Sequence, residues 1–175
     1  MKDRKLLNIE LGRLTPDEYR QNRPQSGVVL VLDNIRSAHN VGSAFRTSDA
    51  FGVDKVYLGG ICPVPPSPEL RKVALGAEEV VPFEAVQDVP ALVRRLQGEG
   101  YTVIAVEQTV YSVKLDQFQP VPGRKYALVF GNEVDGVQQD VVDAADFSLE
   151  IPQKGTKHSL NVSVSIGVVL WGMRP

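Results

Sequence analysis

Five short apolar runs, rich in β-branched residues, constrain the fold of this 175-residue chain more than any other feature. They begin at residues 28, 55, 101, 126 and 147 and read VVLVLDN, KVYLGG, YTVIAVE, YALVFGN and FSLEIP. Each run is bounded by Gly, Pro, Asn or charge, and such continuous apolar character is typical of strands buried on both faces of a parallel sheet. Residues 40–51 and 88–99 have helical apolar spacing. The pattern therefore predicts an α/β fold in which helices flank a parallel sheet.

The chain is long enough for one domain with a full core, because 43% of its residues are hydrophobic. Before Gly27, the segment Thr15-Pro16-Asp17-Glu18 has the composition of a helix start with a capping box. We therefore predict an N-terminal helical leader over residues 1–26 and a single domain over residues 27–175. Two proline-rich segments, 63–68 and 119–123, are predicted to be exposed loops.

Several functional classes are excluded by what the sequence lacks. The single cysteine, Cys62, allows no internal disulfide, and with only two histidines no zinc site of ordinary spacing can be written. We expect a buried structural thiol and a cytoplasmic protein. No apolar run has the length of a membrane span, and the charged N-terminus does not resemble a secretion signal. Dinucleotide-binding and phosphate-binding glycine motifs are absent, which argues against dehydrogenases and nucleoside triphosphatases.

The net charge of −2 is not typical of a nucleic-acid-binding protein, but the charges are unevenly distributed. Residues 1–26 hold six basic and four acidic side chains. Lys154, Lys157 and His158 lie in a stretch with no acidic residue between Glu150 and the C-terminus. These charges indicate a local basic surface, although taken alone they are explained more simply as an ordinary solvated mixture.

The first polar motif, HNVGSAFRTSDAFGV, begins at residue 39, just after the first predicted strand. Ligands bind at the carboxyl ends of strands in parallel α/β sheets. Asn40 can cap the following helix, and Arg46 emerges one turn after the small residues Gly42 and Ser43, where its guanidinium can grip a phosphate with two hydrogen bonds. The simpler alternative is a plain cap with Arg46 paired to Asp49.

Two further polar motifs follow later strands. In FGNEVDGV, Gly131 and Gly136 permit close backbone approach and Glu133 supplies a carboxylate at a strand end. In IPQKGTKHSLNVS, a basic loop leads to the hydrogen-bonding side chains of Ser159 and Asn161. Each motif alone is explained nearly as well by a turn or a helix cap.

The segment LNVSVSIGVVLW, which begins at residue 160, fits two periodicities. Its apolar residues alternate as in a strand, and a helical spacing also fits. The β-branched residues favour a strand.

Taken in order, the three motifs resemble those of the SpoU (TrmH) family of SPOUT methyltransferases, which carries Asn-x5-Arg, then Gly-Asn-Glu, then Ile-Pro followed by Ser-Leu-Asn-Val-Ser. The matching segments here are Asn40–Arg46, Gly131–Glu133, Ile151–Pro152 and Ser159–Ser163. The resemblance covers residues 28–173. It implies a C-terminal trefoil knot, a helical last segment and a homodimer with the pocket close to the interface.

The resemblance also implies an enzyme that transfers a methyl group from S-adenosylmethionine to a ribose 2'-hydroxyl of RNA. The residues that it places in catalysis are Asn40, Arg46, Glu133, Ser159 and Asn161. The residues that it places around the cofactor are Val106, Glu107, Gly131, Ile151 and Leu160. No metal is expected. Because an arginine is normally protonated, we interpret Arg46 mainly as a phosphate anchor that aligns the hydroxyl.

The sequence departs from the family pattern at Gln153-Lys154, where an apolar residue often follows Ile-Pro. It also lacks the separate N-terminal RNA-binding domain of several ribosomal RNA members, which favours transfer RNA over ribosomal RNA as the target and leaves both open. Two alternatives remain at this point. One is an RNA-binding or assembly factor of the same fold without catalysis, and the other is an enzyme that methylates a base.

Overall fold

The computed structural model describes residues 3–23 and 25–173, without the side chain of Asn8. Seven parallel strands form one sheet in the order β3-β2-β1-β6-β4-β7-β5. The strands are β1 Val28–Asp33, β2 Lys55–Gly59, β3 Phe83–Val86, β4 Tyr101–Val106, β5 Val113–Lys114, β6 Lys125–Phe130 and β7 Phe147–Glu150. The five predicted strands are thus confirmed. The edge strands β3 and β5 were not predicted.

Helices cover both faces of the sheet. They are α1 Pro16–Asn22, α2 Ala38–Phe51, α3 Pro68–Ala74, α4 Ala77–Val80, α5 Val89–Gly98, α6 Gln139–Ala144 and α7 Val162–Gly172. One core joins α2, α3, α4 and α7 to one face of the sheet, and a second core joins α5 and α6 to the other. Successive residues of β1 show the division, since Leu30 belongs to the first core and Val31 to the second. The predicted α/β fold is confirmed, while the trefoil knot stays a prediction.

Local signals in the sequence account for several element boundaries. The Thr15 hydroxyl accepts from the backbone N–H of Glu18 at 3.3 Å, and the Glu18 carboxylate accepts from that of Thr15 at 2.8 Å, so the predicted capping box is present. The proline-rich segment 63–68 is a loop only as far as Ser67, because Pro68 is the first residue of α3. Proline fits there because its missing N–H would have no partner in the first helical turn.

The last segment is a helix, α7, so the helix that the resemblance implies is confirmed and the strand that the alternating residues favoured does not form. Val162, Ile166, Val169 and Leu170 of this helix are buried. Val164, Val168 and Trp171 are 50%, 37% and 63% exposed. Apolar residues on both the inner and the outer side produce the alternation, because a helix that is apolar all round has no single periodic face.

Cys62 is buried, as expected for a structural thiol. Its sulfur accepts from the backbone N–H of Ile35 at 3.2 Å and lies 3.3 Å from the carbonyl oxygen of Leu32, to which its S–H donates. Burial raises the pKa of this thiol to about 11. Among the described helices, none is both long and apolar enough to cross a membrane.

We predict that Gly42→Ala destabilises the protein. A Cβ at residue 42 would lie 2.6 Å from the carbonyl oxygen of Leu70, so α2 and α3 would have to separate. Overpacking of this kind costs about 1–3 kcal/mol and exceeds the helix propensity gained from alanine. The free energy of unfolding from urea titration measures the effect.

Gly98→Ala is the matched control, since a Cβ at this helical glycine has nothing within 4 Å. We expect it to leave the free energy of unfolding unchanged or to raise it by up to about 1 kcal/mol. Equal stability of the Gly42→Ala variant and the parent would contradict the close packing of α2 on α3.

Candidate active site

A cavity of about 320 Å³ opens at the carboxyl ends of β4, β6 and β7. These strands are neighbours in the sheet, with Val106 opposite both Phe130 and Leu149. The cavity is lined by Val106, Glu107, Gln108, Phe130, Gly131, Asn132, Glu133, Leu149, Glu150, Ile151, Gln153, Ser159, Leu160, Asn161, Val162 and Ser165. All five residues predicted around the cofactor therefore line one cavity, together with Glu133, Ser159 and Asn161.

A tight turn from Gly131 to Gly136 forms one wall of this cavity. Asn132 and Gly136 exchange backbone hydrogen bonds of 3.2 and 3.1 Å, and the Asn132 side-chain oxygen accepts from the backbone N–H groups of Val134 and Asp135 at 2.9 Å each. A Cβ at residue 131 would lie 1.9 Å from the carbonyl carbon of Gly136, so only glycine fits. The turn fixes the backbone at Glu133.

Glu107, the residue after β4, holds the turn from the opposite side. Its backbone N–H donates to Leu149 at 3.0 Å, which continues the pairing of β4 with β7. Its carboxylate accepts from the backbone N–H of Val137 at 3.1 Å. Gly136, with φ of 70°, leaves room for that carboxylate, since a Cβ there would lie 2.2 Å from Glu107 Oε2.

Asn40 links the three sequence motifs. Its side-chain amide donates to Glu133 Oε1, and its side-chain oxygen accepts from Asn161 Nδ2 at 3.2 Å. The prediction that Asn40 caps α2 was wrong, because the cap is Ser37, whose hydroxyl accepts from the Asn40 backbone N–H at 3.2 Å. Since Ser37 caps the helix, the Asn40 side chain is available for the two contacts across the cavity edge.

The direction of these hydrogen bonds is fixed at both ends. The Glu133 carboxylate, when ionised, can only accept, so Asn40 must present its NH₂ group to it. At the other end, Asn161 Oδ1 accepts from the backbone N–H of Ser163 at 2.9 Å and thereby caps α7. Asn161 must therefore present its own NH₂ group to the Asn40 oxygen, and both amide orientations agree.

Arg46 lies apart from this group. It is exposed and borders a second cavity with Tyr19 of α1, Asp49 and the α3–α4 connection. Six residues of α-helix separate it from Asn40 by about 9 Å along the axis and about 120° around it. The alternative ion pair of Arg46 with Asp49 does not form. Of the five predicted catalytic residues, four thus meet at one cavity edge and Arg46 does not.

Sequence reasoning missed a buried contact behind the site. Asp33, at the end of β1, is completely buried and accepts two hydrogen bonds from Gln138, at 2.9 Å from the backbone N–H and at 2.7 Å from Nε2. This contact ties the segment after the Gly131–Gly136 turn to the centre of the sheet. No local signal reveals it, because the partners are 105 residues apart.

A family model described as the SpoU rRNA Methylase family matches residues 27–171. The chain belongs to this family. Among its relatives, 23S rRNA (guanosine-2'-O-)-methyltransferase RlmB of Coxiella burnetii is 33% identical over 153 residues, which cover 86% of this chain and 59% of the relative. RlmB of Pseudomonas putida is 32% identical over 91% of this chain and 63% of its own length. The chain thus spans about three fifths of these SpoU relatives.

Two solved structures share the fold. An AdoMet-bound rRNA methyltransferase from Sinorhizobium meliloti superposes with a TM-score of 0.79 at 26% identity, over 93% of this chain and 60% of that one. The A. aeolicus TrmH/SpoU tRNA modifying enzyme also gives a TM-score of 0.79 at 26% identity, over 90% of this chain and 80% of that one.

We predict that Asn40→Asp makes stability depend on pH. The substitution places a second carboxylate against Glu133, which raises the pKa of the pair because both groups cannot easily be charged. The variant should be less stable than the parent at pH 7.5. The deficit should shrink as the pH falls through the raised pKa, where the pair holds a proton.

Urea unfolding at pH 4.5 and 7.5 measures this difference. Gln119→Glu is the control, since it makes the same change from amide to carboxylate at an exposed residue of the 119–123 loop. The contact between Asn40 and Glu133 is refuted if both variants show the same pH dependence.

Proposed function

We propose that this chain is an S-adenosylmethionine-dependent RNA methyltransferase that acts on a ribose 2'-hydroxyl. One observation carries the proposal: Asn40 joins Glu133 and Asn161 at the edge of a cavity built from the carboxyl ends of three parallel strands. Ligand sites in open α/β sheets lie at this edge. The names of the two RlmB relatives support the same reaction.

The cavity suits the cofactor in size and lining. Its volume, about 320 Å³, falls within the range of small-molecule sites. Val106, Leu149 and Leu160 supply apolar walls, and the strand ends at Gly131 and Ile151 bring backbone groups to the cavity. We assign cofactor binding to Val106, Glu107, Gly131, Ile151 and Leu160. The structural relative from Sinorhizobium meliloti is AdoMet-bound, which supports S-adenosylmethionine as the cofactor of this chain.

The residues around Asn40 would position the ribose. When bound, S-adenosylmethionine supplies an electrophilic methyl group, so the protein has to hold the 2'-hydroxyl in line and dispose of its proton. Glu133 has one oxygen engaged by Asn40 and is exposed, so it can accept a hydrogen bond from a ribose hydroxyl. Ser159 lines the same cavity, and its hydroxyl can also form a hydrogen bond with the sugar.

Arg46 would act on the RNA backbone beside this group. Its guanidinium is exposed and makes no hydrogen bond or ion pair with another residue in 3–23 or 25–173. Two N–H groups of the guanidinium can therefore donate hydrogen bonds to one phosphate of the substrate RNA. Arg46 would thus anchor the phosphate and align the nucleotide, and the proton of the 2'-hydroxyl would go to another acceptor.

The proposed substrate is RNA, either ribosomal RNA or transfer RNA. The two curated relatives above are named for 23S ribosomal RNA, whereas the A. aeolicus SpoU structure is named as a tRNA modifying enzyme. Preference for transfer RNA therefore stays a prediction, as does a cytoplasmic location.

Within the described residues, no group of three or more His, Cys, Asp or Glu side chains could hold a metal ion.

Calorimetric titration with S-adenosylmethionine and labelled methyl transfer to total RNA test the function. We expect cofactor binding and a product whose label remains on the ribose after nucleoside analysis. Label on a base would support base methylation instead. Tight RNA binding without cofactor binding would support the non-catalytic RNA-binding or assembly factor.

In the same assay, Arg46→Lys should lower methyl transfer about tenfold or more, because lysine keeps the charge and loses the two-pronged grip on phosphate. Arg94→Lys is the matched control, since Arg94 is exposed on α5 at the opposite face of the sheet. If Arg46→Lys keeps most of the activity of the parent, the two-pronged grip is not required.

We also propose a homodimer that pairs through α7. Val164, Val168 and Trp171 follow one another at helical spacing and leave an apolar stripe exposed on this helix. Exposed apolar stripes of this kind mark protein interfaces. Because Asn161 caps the same helix, the dimer would lie close to the cavity.

Val164→Glu should therefore convert a dimer into a monomer, since it buries a charge in the interface. Sedimentation velocity measures the mass. Val121→Glu is the control, because Val121 has a similar exposure of 48% in the 119–123 loop. A Val164→Glu variant with the mass of a dimeric parent would contradict pairing through α7.

A further inference from the structure

We propose that Tyr111 stacks on an unpaired RNA base, while Lys154 and Lys157 hold phosphates of the same strand. The four residues Val110, Tyr111, Lys154 and Lys157 are called the Tyr111 surface. The inference rests on the proposed function and adds to it the form of RNA that the site takes, namely a single-stranded or splayed-out segment.

Tyr111 is the first observation. Tyr111 is 92% exposed, and the neighbouring Val110 is 89% exposed. A large aromatic ring rarely stands so far from any packing partner in a folded domain. Both residues lie in the turn between β4 and β5, which begins with the cavity-lining residues Glu107 and Gln108.

The turn that carries Tyr111 is anchored to the sheet. The Ser112 hydroxyl donates to the Glu150 carboxylate at the end of β7, and it also lies 3.0 Å from the carbonyl oxygen of Thr109. The Lys114 ammonium contacts the same carboxylate and is the main cause of the lowered pKa of Glu150, followed by the Ser112 hydroxyl. The backbone beneath the ring is therefore held by a charged contact.

The basic loop lies beside this turn. Gln108 Nε2 donates to the carbonyl oxygen of His158 at 2.6 Å, which joins the two segments. Lys154 and Lys157 of the loop are exposed, and neither has an ion-pair partner within the part of the chain that the structure describes. Lys114, by contrast, is neutralised by Glu150. The two loop cations are thus available to an anionic ligand.

This combination of groups matches unpaired RNA better than other partners. A free aromatic face offers stacking to a base of any identity, and neighbouring lysines follow the phosphates. Bases within a double helix are already stacked on each other, so the ring has no access to them. A protein partner or a second copy of the chain would have to cover two unpaired lysines, which costs free energy unless acidic groups meet them.

The test uses the full chain and a fluorescent, unstructured RNA of about 12 nucleotides, a length that one domain can cover. Tyr111→Ala should weaken binding about 5- to 100-fold, the range measured for loss of one stacked base. Tyr111→Phe keeps the ring and should bind like the parent. A double-stranded RNA of the same sequence should show no difference between these variants.

The phosphate contacts of the two lysines are tested by the salt dependence of RNA binding. Removing both by Lys154→Gln and Lys157→Gln should reduce the slope of log affinity against log salt concentration by about 0.7 for each lost phosphate contact. Lys72→Gln, an exposed lysine on α3, is the control and should leave the slope unchanged.

The outcomes separate this inference from the proposed function. If the parent binds S-adenosylmethionine and RNA but Tyr111→Ala binds RNA equally well, the stacking role is wrong and the proposed function stands. If Tyr111→Ala changes the sedimenting mass instead, the surface is a contact between copies and the inference is overturned. If the parent binds neither cofactor nor RNA, both proposals fail.

Discussion

The parallel alignment of β4, β6 and β7 is the constraint on which the site depends. Because these strands run in the same direction, the residues after their last hydrogen-bonded positions emerge at one edge of the sheet. Glu107, the Gly131–Gly136 turn and Ile151 are each the immediate continuation of a strand. Cores on both faces hold the strands in register, so the position of the cavity follows from the packing of the whole domain.

Much of this arrangement could be predicted from the sequence. The five apolar runs gave central strands in nearly the right places, because a strand buried on both faces has an unmistakable composition. The edge strands were missed for the converse reason, since β3 is only partly buried and β5 has two residues. Motif order indicated which polar residues belong together, and four of the five predicted catalytic residues do lie at one cavity edge.

One error arose where a residue has two possible roles. Asn40 follows a strand and begins a helical pattern, so a cap was the natural prediction, yet Ser37 takes that role. Arg46 shares a motif with Asn40 but faces another side of α2, because six residues do not complete a whole number of helical turns. The contact of Asp33 with Gln138 depends on the tertiary fold alone.

The amide side chains between Glu133 and α7 have a chemical consequence. A carboxamide can donate and accept hydrogen bonds but does not take up or release a proton at ordinary pH, as imidazoles and carboxylic acids do. The path from Glu133 through Asn40 and Asn161 to the Ser163 backbone therefore cannot serve as a proton wire. In the proposed methyl transfer, the proton of the ribose hydroxyl therefore has to leave toward the open side of the cavity.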